Sequence, residues 1–395
     1  MESASAAGAR ATALADPFGK ALAARSGDSS PCRPIGVRDA LVVVVPAWIC
    51  SRLLAIVTLL IAQVVHHPAL PRTGDGHPYS LWTWDGAWYL AIATHGYQGL
   101  HTEAVRFFPL FPLLGHVTGL LLGGHTGAGL VVVANTAALA FAAAVASFVH
   151  REIDPTLVRA TVWLTLLAPG AIALALPYTE AVAGLLTVGY FLAVRGTRRG
   201  IWIALPLGVL AGLARPTGVL LSVVPLVELW QRRRRGLAPS LVAAAAAPIA
   251  GSALFCGWTY HGFGRAFLPY TAQTQHGLRG SVVADPLHSL LNPPAGAGLS
   301  PAADVTATAV ALLLLALAWR TLPLSVWLWS ALGVMSAVTS AHAMSLPRYL
   351  SAQFPLLIAG AALLRNRIAL VAAVATSAAA FYAVGIKGFL GTGVL

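Results

Sequence analysis

Charge is what this chain has least of. Of its 395 residues only 10% are Asp, Glu, Lys or Arg, and just 13 are acidic, whereas soluble globular domains carry about 25% charged residues. A water-soluble enzyme is thereby excluded. Cysteine is equally scarce: Cys32 stands in the N-terminal tail and Cys50 and Cys256 in apolar runs, so neither a disulfide framework nor a thiolate metal site is expected. There is no HExxH and no aspartate-rich cluster. The histidines that crowd the first long loop (His66, His67, His77, His95, His101, His125) lack ligand spacing, so no metal and no cofactor are expected. The chain also lacks a polar stretch long enough for a soluble nucleotide-binding module, its longest loops running to about sixty residues. No internal repeat is visible, so the inverted-repeat signature of many secondary transporters is missing.

What is present is apolar. Hydrophobic residues make up 57% of the chain and its mean hydropathy is +0.76. At about 20 residues per spanning helix, ten or eleven helices would fill a little over half of it. The net charge of +12 would suggest nucleic acid in a soluble protein. In a membrane chain it reflects cytoplasmic loops that collect Arg, so membrane lipids, not nucleic acid, are the expected partners. Abundant Ala and a preference for Arg over Lys fit a GC-rich bacterial genome, hence a multi-pass protein of a bacterial plasma membrane.

Residues 1–38, rich in Ala, Gly and Ser, read as a disordered cytoplasmic tail, and 39–395 as a single integral-membrane domain. The run 41–65 is too long for a signal-peptide core. Further apolar runs fall near 129–149, 159–176, 179–194, 201–214, 217–230, 238–260, 303–319, 323–342, 349–364 and 368–385. The short pair 201–214 and 217–230 reads as a helix broken at Arg215-Pro216. The stretch 107–124 is ambiguous, and charge decides it. If it does not cross, seventeen of the 25 basic residues share one side. The positive-inside rule then favours an all-α protein of about eleven spans, tail inside and C-terminus outside, with interfacial helices in the first external loop. The external loops, about 66–128 and 261–302, and the turns LPYTE, ARPTG and SLPRY all fall on the outer face, while QRRRRG (231–236) becomes a cytoplasmic anchor for anionic lipid. The loop 261–302 is either a lid over an acceptor or a connection lying on the membrane. Arg52, inside the first span, reads as a side chain reaching for the cytoplasmic end, its partner not legible.

LWTWDGAWYLAIATHGY (81–97) is the most informative segment. On a helix, Asp85 and Tyr89 share one face and Trp84 and Trp88 the next, which describes either an interfacial helix presenting a carboxylate or an aromatic belt with Asp85 as a cap. W-D-G-x-W-Y-x-x-I-A-x-x-G-Y followed by FFPLFPLL (107–114), and then in order PYTE (177–180), ARPTG (214–218) and SLPRYLSAQFPLL (345–357), resembles the PIG-V-like family, relatives of GPI mannosyltransferase II among the GT-C membrane glycosyltransferases. The resemblance spans about 45–365, with Phe111 where a Tyr is common and a tail that is not a family feature. It implies a GT-C-like fold and inverting transfer of mannose from a polyprenyl-phosphate-mannose donor to an acceptor hydroxyl, on a glycolipid, polysaccharide or protein, at the outer face.

In that setting Asp85 takes the role of general base. A sugar hydroxyl is a poor nucleophile, and one in-line displacement needs one base opposite the leaving group. The lipid phosphate calls for Arg, whose fork binds phosphate oxygens in pairs: Arg348 first, then Arg215 and Arg106. Glu180 is either a favourable helix N-terminal charge or a cavity group that orients an Arg. Trp84, Trp88 and Tyr89 are candidates to line the cavity or hold the acceptor. Tyr178 and Tyr349 read as interface anchors or as sugar-stacking groups, and His276 and His342 as possible donors to phosphate. A lipid-linked-sugar flippase would use the same Arg residues without a base. A non-catalytic scaffold for envelope enzymes would need none of these residues individually.

Overall fold

A computed structural model describes residues 35–65, 79–232, 238–273, 301–338, 346–351, 353–364 and 366–391. Most of the N-terminal tail, His276, His342 and the greater part of the loop 261–302 lie outside the described residues. The described chain is helical: α1 (Val37–Val64), α2 (Asp85–His95), α3 (Leu110–Leu121), α4 (Thr126–Glu152), α5 (Val158–Leu167), α6 (Glu180–Arg195), α7 (Arg198–Ala214), α8 (Val223–Arg232), α9 (Ala238–Phe263), α10 (Leu268–Thr271), α11 (Pro301–Ala318), α12 (Leu324–Val338), α13 (Leu346–Ser351), α14 (Phe354–Leu363) and α15 (Arg367–Phe389). Within the described residues, every apolar run read from the sequence coincides with a helix or a broken helix. Helices α1, α4, α9 and α15 are long and apolar enough to cross a membrane.

Proline sets the breaks. The residue before a proline is pushed out of the helical region and the proline itself donates no N–H. Helix α5 therefore stops at Ala168, and Pro169–Leu174 continues as a 3-10 helix. Arg215 is extended (φ −154°, ψ 153°) between α7 and the 3-10 helix Pro216–Ser222, so the expected break falls at Arg215-Pro216. Helix α3, at 12 residues, is about 18 Å long, short of a hydrocarbon core of about 30 Å. It folds back along the first turns of α4, where Gly115 and Gly129 let the backbones touch: a Cβ on Gly129 would lie 2.3 Å from the Gly115 carbonyl oxygen.

Helices α4 and α6 pack together at the centre, flanked by α1 and α5 on one side and by α7 and α9 on the other. Phe141, Phe148, Phe191, Trp329 and Phe354 interlock between them. Outer faces carry exposed apolar side chains such as Leu53, Ile56, Ile368 and Val371, as expected where lipid is the solvent.

Broken helices leave carbonyls that need donors inside a membrane, and this explains Arg52. It does not reach for the cytoplasmic end. Its guanidinium donates to the Leu174 carbonyl (2.7 Å), to Asn135 Oδ1 (2.8 Å) and to Ser51 Oγ (2.8 Å), and Asn135 Nδ2 reaches the Ala175 carbonyl at 3.4 Å. The Gly212 and Ala214 carbonyls beside the other break accept from Ser252 Oγ and Thr179 Oγ1. Arg52→Leu strands the Leu174 carbonyl and Asn135 Oδ1. It is expected to cost about 1–3 kcal/mol for each group left unsatisfied, read as an earlier thermal unfolding transition in detergent.

A second polar knot joins Arg195, at the C-terminus of α6, to Glu152 (2.9 Å) and Glu228, with Ser325 Oγ donating to Glu228 at 2.7 Å. It sits at the opposite end of α6 from Glu180, separated by about 22 Å of helix.

Candidate active site

Four segments far apart in sequence meet at the N-terminal end of α6. The first is the loop before α2. Its residues satisfy the last carbonyls of α15, which have no partner within their own helix: the Tyr79 N–H donates to Phe389 (2.8 Å), and Thr83 Oγ1 and Trp84 Nε1 both donate to Gly388 (3.0 and 3.2 Å). Held in this way, Trp84 has φ 50° and ψ −120°, a backbone region that costs a non-glycine residue on the order of 1–3 kcal/mol and persists only where the surroundings enforce it. The next residue is Asp85, at the start of α2, which the strained turn aims at α13.

The other segments supply the partners. Arg348, on α13, is 6% exposed. Its Nη2 lies 2.8 Å from Asp85 Oδ2, and its Nε lies 3.1 Å from Glu180 Oε1, within ion-pair range although off the hydrogen-bond direction. Glu180, the first residue of α6 and 4% exposed, also faces Arg215 Nη1 at 3.3 Å. Tyr178 and Tyr349 flank the Arg348 guanidinium, 5.3 and 5.1 Å from its centre, and Tyr349 also faces Arg215 at 5.5 Å. Two carboxylates and two guanidiniums thus balance in a largely buried cluster, the condition under which buried charge is tolerated. Burial works against the charge on Arg348, but Asp85 and Glu180 outweigh it and raise its pKa well above the ordinary guanidinium value.

Beside the cluster lies a cavity of about 70 Å³, with Glu180, Arg215, Arg348 and Gln353 among its polar lining and Phe141, Trp329 and Phe354 among its apolar lining. Among the described residues, Arg348 Nη1 and Gln353 Oε1 are buried with no hydrogen-bond partner. Room for Arg348 depends on Gly170, in the 3-10 helix after α5. A Cβ at Gly170 would fall 2.4 Å from Arg348 Cα and 2.4 Å from the Pro347 carbonyl oxygen. Gly170→Ala must push that backbone away. Because a displacement of about 1 Å can cost about 10²-fold in rate, a loss of that order is expected in the kcat of whatever reaction the site performs, with the protein still folded.

The remaining described candidates do not line the cavity. Arg106 is held apart, paired with Glu103 and lying over the Phe107 ring. Trp88 stacks on Phe107, and Tyr89 packs edge-on against Phe107 and Phe111, close enough to the cluster to feel the charges of Asp85, Glu180, Arg215 and Arg348; like Asp85 itself, Trp84, Trp88 and Tyr89 do not line the cavity. Tyr178 is not an interface anchor: it is fully buried and its hydroxyl donates to the Thr83 carbonyl at 2.9 Å, which ties the turn before Asp85 to the turn before Glu180. Gly170, Trp329 and Gln353 were not singled out from the sequence. A Pro-Gly pair inside an apolar run was the available signal for Gly170. For Gln353 it was a polar residue within the last motif. Trp329 gave none.

No protein-family model and no curated protein matches the chain. Among solved structures, the chain is similar to the crystal structure of the Archaeoglobus fulgidus oligosaccharyltransferase in complex with zinc and sulfate, with 14% sequence identity and a TM-score of 0.48. The match covers 88% of this chain and 53% of the other, so the chain spans about half the length of the structure it matches.

Proposed function

We propose that this chain is a membrane glycosyltransferase of the GT-C type, similar to the PIG-V-like enzymes, that transfers mannose with inversion from a polyprenyl-phosphate-mannose donor to an acceptor hydroxyl. The observation that carries this reading is the convergence of Asp85, Glu180, Arg215 and Arg348, from four separate segments, into one balanced cluster beside a cavity. Asp85 is the general base, removing the proton from the acceptor hydroxyl as it attacks the anomeric carbon. Arg215 and Arg348 hold the phosphate, with Glu180 fixing the spacing of the two guanidiniums. The site faces the extracytoplasmic side. The Arg195 knot at the far end of α6 belongs with the Arg-rich loops that the positive-inside rule assigns to the cytoplasm.

The test is transfer by the purified protein reconstituted in lipid, supplied with radiolabelled polyprenyl-phosphate-mannose and a total envelope lipid extract. Label moving onto an acceptor is the expected result. Donor crossing the bilayer with no transfer would identify a flippase, and neither event, with all external polar substitutions silent, would identify a scaffold.

A further inference from the structure

We infer that Arg348 is a single cation shared between the base and the leaving group, released to the phosphate as Asp85 takes up its proton. The inference rests on the reading above. In the transfer step the acceptor oxygen bonds to the anomeric carbon, and the bond from that carbon to the phosphate oxygen breaks with its electron pair going to the phosphate. The acceptor proton moves to Asp85. One negative charge therefore disappears at Asp85 as one appears on the phosphate. The donor is a phosphodiester with one negative charge, and the product is a phosphomonoester carrying about −1.5 to −2 at neutral pH.

The geometry fits such an exchange. In the resting site Asp85 neutralises Arg348 through Nη2 at 2.8 Å, and Glu180 is divided between Arg348 and Arg215. The four charges cancel, so no positive charge is in surplus to hold a dianion. Yet Arg348 also lines the cavity, and its Nη1 is buried without a hydrogen-bond partner among the described residues. One guanidinium thus pairs with the carboxylate through one nitrogen and keeps another without a hydrogen-bond partner, in a residue that lines the cavity. Once Asp85 is neutral, its hold on Arg348 lapses and the full charge serves the phosphate. When Asp85 later loses its proton it recaptures Arg348 and expels the lipid phosphate. The same residue then stabilises the leaving group and times its release.

The test is binding of farnesyl phosphate to the full-length purified protein, by calorimetry, in a double-mutant cycle. Asp85→Asn imitates the protonated base and is expected to bind the phosphate at least about tenfold more tightly than the wild type. Most of that gain should vanish when Asp85→Asn is made in an Arg348→Gln background, where the remaining Glu180 and Arg215 still balance. An unchanged affinity in Asp85→Asn, or the same gain with and without Arg348, would overturn the exchange. The phosphate site would still stand if Arg348→Gln or Arg215→Gln alone weakened binding. If neither did, the phosphate site and the exchange would fall together. Arg348→Lys, which keeps the charge and loses the fork, replaces Arg348→Gln if the latter does not fold, and the gain should shrink there too.

Discussion

Asp85→Asn is expected to lower sugar transfer by about 10²–10⁴-fold, the range that a positioned general base supplies, while leaving the protein folded. The substitution keeps shape and removes charge. Arg348 retains Glu180 as a counter-charge at 3.1 Å, and the Asp85 side chain is 20% exposed, so no uncompensated charge is sealed inside. The loss should lie in kcat, since the carboxylate acts in the transition state, and donor binding should not weaken. Single-turnover transfer from saturating donor is the measurement. Equal rates in the two proteins would remove Asp85 from the chemistry and turn attention to Glu180.

Arg348→Gln is expected to affect both stability and activity. Removing one member of a buried ion pair costs about 3–5 kcal/mol, because the partner's charge remains without compensation. Here two carboxylates lose a shared cation, and Glu180 is 4% exposed. Thermal unfolding in detergent should show a clear loss of Tm, and transfer should become undetectable. Combining Arg348→Gln with Asp85→Asn should restore part of the lost stability, since the second change removes the stranded charge. Strictly additive losses would mean that the two side chains do not interact, contrary to their 2.8 Å contact.

The Arg52 and Arg106 outcomes show where sequence reading reaches its limit. Both are arginines at conspicuous places, one inside a span and one in the motif-bearing external loop. Arg52 is consumed by a structural need, the Leu174 carbonyl at the end of the 3-10 helix that follows α5. Arg106 is consumed by its neighbour Glu103, three residues away. Glu103 is a local signal that sets Arg106 apart, but nothing local separates Arg52 from Arg215 or Arg348, because the distinction lies in which distant groups each one faces: an amide and a carbonyl for Arg52, carboxylates for the other two. Tyr178 makes the same point. Its position at the start of a span fits an interfacial ring, but the Thr83 carbonyl and the Arg348 guanidinium enclose it.

By itself the sequence determined the class of the molecule. With one residue in ten charged and continuous apolar runs too long and too unbroken for barrel strands, the chain is a helical membrane protein in which each helix closes its own hydrogen bonds. It also determined the break at Arg215-Pro216, through the steric demand of proline, and it marked Glu180, Arg215 and Arg348 as polar residues at the ends of apolar runs and Asp85 as the carboxylate of the aromatic segment 81–97. Tertiary structure decided what joins them. The left-handed turn at Trp84 is held by the end of α15, the approach of Gly170 to Arg348 depends on two packed backbones, and the pairing of each guanidinium with its carboxylates depends on four chain segments meeting. These are long-range contacts, and no local spacing encodes them.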